Sequence, residues 1–249
     1  MKYAAVSHVG HVRKVNQDRY LVQREENGVY MVLVADGMGG HVAGEVASEL
    51  AVSTIADELI HQKDLTDYKE RLIRAIESAN KQIYNEAEAN EVYSGMGTTI
   101  VAVLASDSKL WIAHVGDSRA YLWHPLTKLK KLTEDHSLVN ELIRRGQIQP
   151  EEADNHPQRH MLTRALGTLP EVIVECNEWE WQPQDRLLVC TDGLTTHLTE
   201  DQINAVLNDD KELTEQVDTL LHMVLDEGGH DNITMVLLTN EGAERRSQE

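Results

Sequence analysis

Residues 32–41 read Val32-Leu33-Val34-Ala35-Asp36-Gly37-Met38-Gly39-Gly40-His41. An apolar run rich in Val and Leu predicts a buried strand. The run stops at an aspartate, and three glycines follow within four residues. Glycine lets the backbone turn sharply and lets another group approach the main chain closely. A carboxylate at the end of a rigid strand, beside accessible carbonyls and amides, can hold a metal or a phosphate. Taken alone, the stretch is equally a strand-to-helix turn with an exposed Asp. The junction recurs, however, at Gly116-Asp117, Asp192-Gly193 and Gly228-Gly229-His230-Asp231.

Between these junctions the periodicities alternate in blocks. Strands are predicted at 3–9, 19–23 and 29–35, the last two joined by the turn Glu25-Glu26-Asn27-Gly28. Apolar residues at helical spacing follow over 44–60 and 67–89. Further strands are expected at 97–104, 110–115, 120–123, 172–181, 186–190 and 233–238, with helices at 138–145, 199–207 and 212–225. Runs of hairpin-linked strands separated by helix pairs argue for an α+β fold rather than a doubly wound parallel sheet. Two mainly antiparallel sheets packed face to face, with helices outside, suit the pattern. Residues 136–167 are polar and short of apolar residues, and read as a flap insertion too small for its own core. We therefore expect one domain over residues 1–240 and a polar tail over 241–249.

The chain carries 42 acidic and 23 basic side chains, a net charge of -19. That disfavours non-specific binding to nucleic acid or to an anionic membrane. Cys176 and Cys190 are the only cysteines, so no disulfide framework is expected. Residues 1–8 lack the apolar core of a signal peptide, and no apolar run reaches the ~18 residues of a membrane span. A cytoplasmic monomer is expected.

Asp18, Asp36, Asp117, Asp192 and Asp231 all fall at strand ends or in adjoining loops. If those ends converge, they form an all-oxygen cluster. Such hard ligands select Mg2+ or Mn2+ over zinc. Two such ions could clamp a phosphate and activate water, with Arg13 gripping the phosphate oxygens.

These residues also occur as a set. Arg13-x-x-Asn16-Gln17-Asp18, Asp36-Gly37-Met38-Gly39-Gly40, Gly97-Thr98-Thr99, Gly116-Asp117-Ser118-Arg119, Asp192-Gly193 and Asp231-Asn232 resemble, in order and approximate spacing, the motifs of the metal-dependent Ser/Thr phosphatases of the protein phosphatase 2C type. The resemblance covers about residues 3–238 and is to the compact bacterial form. It implies a four-layer α-β-β-α sandwich and hydrolysis of phosphoserine and phosphothreonine by a metal-activated water. It further implies that Asp36 bridges two Mn2+ or Mg2+ ions and that the Gly37 carbonyl binds one of them. Asp192 and Asp231 would ligate the other, and Asp18 would act through metal-bound water. Asp117, with Asp192, matches a third, weaker metal position. Arg13 would hold the substrate phosphate, and Asn232 would orient Asp231. Phosphorylated proteins and a bacterial Ser/Thr kinase are the implied partners.

The chain departs from the family at two points. Many eukaryotic members carry a histidine, proposed as general acid, where Met38 stands. His41 lies three residues on and is the stand-in, with a metal-bound water as the alternative. Gln17 stands where many have Glu. Other chemistries lack their residues. His156 and His160 have the spacing of a zinc helix, but Pro157 replaces the required Glu. Neither cysteine has an arginine six residues on, and no phosphate-binding Gly-x-x-x-x-Gly-Lys loop is present. Cys190 and the Trp and Tyr residues read as packing, and the flap histidines as surface. A phosphoprotein-binding scaffold without activity, and a hydrolase of small phosphoesters, are the competing functions.

Overall fold

The computed structural model describes residues 1–40, 42–62, 65–153 and 156–241. The chain opens with β1 (Lys2–His8), β2 (Asp18–Arg24) and β3 (Tyr30–Met38), then α1 (Ala43–His61) and α2 (Tyr68–Ala89). Strands β4 (Gly97–Thr98), β5 (Ile100–Ala105), β6 (Lys109–Val115), β7 (Arg119–His124) and β8 (Lys128–Lys131) follow. Next come α3 (Leu138–Arg144), α4 (Pro150–Ala153), β9 (Glu175–Glu180) and β10 (Arg186–Cys190). The chain continues through α5 (Asp192–Thr195), α6 (Glu200–Leu207) and α7 (Leu213–Asp226) to β11 (Ile233–Thr239).

Two antiparallel sheets result. One has the order β1-β11-β10-β7-β8; the other runs β2-β3-β5-β6-β9, with β4 added beside the end of β3. The period-two pattern of β3 explains the layering. Val32 and Val34 point between the sheets with Val101, Val103, Ile112, Leu187, Val189 and Val236. Met31, Leu33 and Ala35 point the other way, onto α1 and α2. Helices α6 and α7 cover the opposite sheet through Ile203, Leu207, Val217 and Leu220. Both faces of the central strands are dry, so their sequences are continuously apolar. The architecture is the expected α+β sandwich with four layers, α-β-β-α. Cys190 is buried in it as expected. Among the described residues no helix is long and apolar enough to cross a membrane.

Helix ends are set by side chains that the periodicity counted as helical. Asp67 caps α2 by accepting from the amides of Lys69 and Glu70. Thr199 and Gln202 form a reciprocal capping box at α6. Arg71 is buried under α2, where it pairs with Glu25 at 2.7 Å and donates to the Leu59 carbonyl at 2.8 Å.

Several boundaries differ from expectation. Strand β3 does not stop at Asp36; it runs on to Met38, pairing Gly37 with Thr98 and Met38 with Gly97. The strand expected at 97–104 is broken at Thr99, which turns to bind Asp36. β8 was not predicted: it is a lysine-rich edge strand, and edges are commonly protected in that way. The strand expected at 172–181 is confined to Glu175–Glu180. The flap holds α3 and α4, and its two ends meet through a bridge between Ser137 and Leu162.

Candidate metal centre

Strand ends from both sheets deliver the aspartates to one cleft. Asp18 opens β2 and Asp36 lies opposite it in the β2–β3 ladder. Asp117 sits in the turn after β6, Asp192 opens α5 with Thr191 alone between it and the end of β10, and Asp231 lies two residues before β11. The cleft has a volume of about 1320 Å³, and Asp36, Asp117, Asp192 and Asp231 all line it. Asp18 is buried just behind, 1% exposed.

Close backbone approach makes this convergence possible. A Cβ on Gly37 would lie 2.0 Å from the Gly44 carbonyl oxygen, so only glycine lets β3 pass the start of α1. A Cβ on Gly193 would lie 1.9 Å from the carbonyl oxygen of Asn232. That contact holds the Asp192 and Asp231 segments together.

Five carboxylates in one site repel. Burial, then the charges of Asp18, Asp192, Asp117 and Asp231, raise the pKa of Asp36 well above the usual carboxylate range. Asp18 is raised to about 7, mainly by burial, against the lowering effect of hydrogen bonds from Thr234 and Thr191. Asp117 also rises to about 7, through burial and then Asp192 and Asp135. Asp192 is raised by burial and then by Asp231, and shares a hydrogen bond with Asp36. One buried oxygen of Asp18, Oδ1, has no hydrogen-bond partner. An orphaned carboxylate oxygen among repelling carboxylates is a feature that a hard divalent cation would satisfy. The donor set therefore fits Mg2+ or Mn2+.

Hydroxyl side chains hold the acids, and the sequence reading assigned them no role. The Asp36 amide donates to Thr99 Oγ1 at 3.0 Å. The Asp36 carbonyl accepts from the Thr99 amide at 2.9 Å and from Thr98 Oγ1 at 2.8 Å. Thr99 Oγ1 also meets Ser118 Oγ at 2.7 Å, tying Asp36 to the turn of Asp117. Thr191 Oγ1 donates to Asp18 Oδ2 at 3.0 Å. Arg119 grips Asp135 with Nη2 at 2.7 Å, and His136 Nδ1 accepts from the Gly116 amide at 3.1 Å. The available signal was adjacency, since each hydroxyl or Arg119 flanks a motif aspartate or lies in the Gly97-Thr98-Thr99 stretch.

Other expected residues are placed as follows. Arg13 lines the cleft and pairs with Asp231 Oδ2 at 2.8 Å. Asn232 does not turn its side chain toward Asp231. Its Nδ2 donates to the Val9 and Val15 carbonyls at 2.9 and 3.0 Å, and its Oδ1 accepts from the Gln17 amide at 2.8 Å. Only its backbone amide reaches Asp231 Oδ1, at 2.8 Å. Asn232 thus closes the loop that carries Arg13. Gln17 donates to the Gly40 carbonyl at 2.8 Å, and Met38 lines the cleft. His41 lies outside the described residues. Of the two histidines expected at the flap surface, His160 is exposed and His156 half-buried; His136, where the flap begins, is buried, 4% exposed. His114, His136 and Glu175 bring ligand-type atoms within 4.8 Å of one another, apart from the aspartates. Arg164 Nη1 fills that space, 3.3 Å from His136 Nε2 and 3.2 Å from Glu175, so a cation is already present there.

A four-layer sandwich with a carboxylate-lined cleft at its strand ends defines a class of metal-dependent hydrolase. The protein phosphatase 2C family model matches residues 7–237, and the chain belongs to that family. Serine/threonine phosphatase stp of Listeria welshimeri is 42% identical over 232 residues, 92% of each chain. A crystal structure of a bacterial serine phosphatase superposes with a TM-score of 0.89 at 34% identity, covering 97% of this chain and 98% of that one. The catalytic domain of the serine threonine protein phosphatase PstP, in complex with 2 manganese ions, has a TM-score of 0.81 at 35% identity, covering 95% and 96%.

Proposed function

We propose that this protein is a metal-dependent protein phosphatase that hydrolyses phosphoserine and phosphothreonine in phosphorylated proteins. The observation that carries the reading is the cleft lined by four aspartates from the strand ends of both sheets, with a fifth, Asp18, buried behind them and carrying an orphaned oxygen. Asp18, Asp36, Asp192, Asp231 and the Gly37 carbonyl would hold two Mn2+ or Mg2+ ions, and Asp117 with Asp192 a third. When bound, such ions supply Lewis acidity toward phosphoryl oxygens and make water more acidic.

The remaining work falls to the chain itself. Arg13 offers a planar fork suited to two phosphate oxygens. Its pairing with Asp231 keeps the guanidinium at the cleft, ready to exchange a carboxylate for a phosphate. Thr98 and Thr99 lock the Asp36 backbone, so its carboxylate needs no reorganisation when substrate arrives. The Asn232 clamp does the same for the Arg13 loop. Residues 1–240 act as one catalytic unit in this reading, with residues 136–167 as a flap that influences substrate choice. A cytoplasmic monomer opposing a Ser/Thr kinase completes it; the two unpaired cysteines support the reducing compartment alone.

The test is release of phosphate from a phosphothreonine peptide. Activity should require Mn2+ or Mg2+ and vanish with EDTA. Asp36→Asn should remove most of it, and Arg13→Ala should chiefly raise KM. Hydrolysis indifferent to chelation would refute the proposal.

A further inference from the structure

This protein is strongly acidic, so its surface should repel acidic peptides. Its basic groups are mostly occupied. Arg19, Arg71, Arg119, Arg164 and Lys109 each pair with carboxylates. Among the described residues Lys14 and Arg159, like Arg24, Lys69, Lys81 and Lys130, have no hydrogen bond or ion pair from their side chains, and of these six only Lys14 and Arg159 line the cleft that holds the aspartates. Both are exposed.

The two cations come from different parts of the chain. Lys14 follows Arg13 in the loop that Asn232 clamps through the Val9 and Val15 carbonyls. Arg159 belongs to the flap, in a turn where its amide donates to the His156 carbonyl at 3.1 Å. Exposed lysines and arginines are ordinary. Two unpaired ones lining the same cleft of an acidic protein are not accounted for by solubility.

We propose that Lys14 and Arg159 form a second anion subsite beside the hydrolysed phosphate, which rests on the phosphatase reading above. The subsite selects phosphosites flanked by further negative charge, either acidic side chains or a second phosphate. The loop cation is held by the Asn232 clamp, whereas the flap cation sits on the insertion. The flap thereby contributes to specificity by charge as well as by shape.

The test compares kcat/KM on four phosphothreonine peptides with neutral, Asp/Glu, phosphoserine or Lys/Arg flanks. Exposed ion pairs are individually weak, so two of them should favour an anionic flank over the neutral one by about 10-fold in low salt. The preference should shrink as salt rises. Preference for Asp/Glu flanks identifies a carboxylate reader, and preference confined to phosphoserine a phosphate reader; both support the subsite. In the double variant Lys14→Glu, Arg159→Glu the order should invert toward Lys/Arg flanks, a gain that misfolding cannot mimic. The pair Lys14→Arg, Arg159→Lys should keep the original order. Equal rates on all flanks in the wild type, or an unchanged order after charge reversal, would overturn the inference. No hydrolysis of any peptide would instead remove the phosphatase reading itself.

Discussion

The cluster of buried acids makes a prediction about the metal-free protein that needs no activity measurement. Asp18 is 1% exposed, and its carboxyl is raised from 3.8 to about 7. A carboxyl with a raised folded pKa holds its proton more tightly folded than unfolded. Stability from that proton is present at low pH and is lost as pH rises through the window from 3.8 to about 7. For one carboxyl the full shift corresponds to about 4 kcal/mol, and water drawn in around the ionised form reduces it to about 2 to 4 kcal/mol. Asp18→Asn abolishes this titration while leaving an oxygen for Thr191. Urea unfolding in EDTA at pH 4.5 and pH 7.5 should therefore show the variant gaining about 2 to 4 kcal/mol on the wild type between the two conditions. Comparing the two proteins cancels contributions common to both, such as that of His114, whose sign is opposite. Saturating Mn2+ at pH 7.5 should restore the advantage to the wild type. A wild type–variant difference that stays constant with pH would refute the electrostatic account of the site.

Three further outcomes are expected. Thr99→Val, which removes the acceptor for the Asp36 amide and the link to Ser118, should weaken Mn2+ affinity or activity by roughly 10- to 100-fold with little change in circular dichroism. Glu25→Ala should cost about 3 to 5 kcal/mol in urea unfolding by stranding the buried Arg71 guanidinium, whereas Arg71→Met should cost far less. His114, whose pKa is lowered by burial, takes up a proton more readily when unfolded, so stability falls as pH drops below its unfolded value. His114→Gln should flatten that acid limb, read as the urea midpoint at pH 5 against pH 7.5.

The layered fold was legible because periodicity carries the physics of burial. Val32 and Val34 face one way and Leu33 and Ala35 the other, and a run apolar on both faces announces a strand covered twice. The aspartates were legible as junctions between such runs and glycines. Their partners were not. Thr99 breaks a strand to bind Asp36, a choice made by a contact 63 residues away that no local propensity encodes. Asn232 likewise looked like a companion of its neighbour Asp231. Its side chain instead spans to Val9 and Val15, which only the folded chain brings near. β8 escaped because a strand of Lys128, Leu129, Lys130 and Lys131 carries too little apolar signal to be distinguished from a loop.

Leu138 donates to the Met161 carbonyl and Thr163 to the His136 carbonyl, each at 2.8 Å. The insertion thus leaves and rejoins the sandwich at nearly the same point. Its length is then almost free to vary, because doubling a loop between fixed ends adds only about 0.6 kcal/mol of closure entropy. Lineages could lengthen, shorten or recharge this segment without disturbing the strand ends beneath it. If the flap reads substrate as proposed, substrate repertoire and catalytic apparatus would then evolve as separable modules on one scaffold.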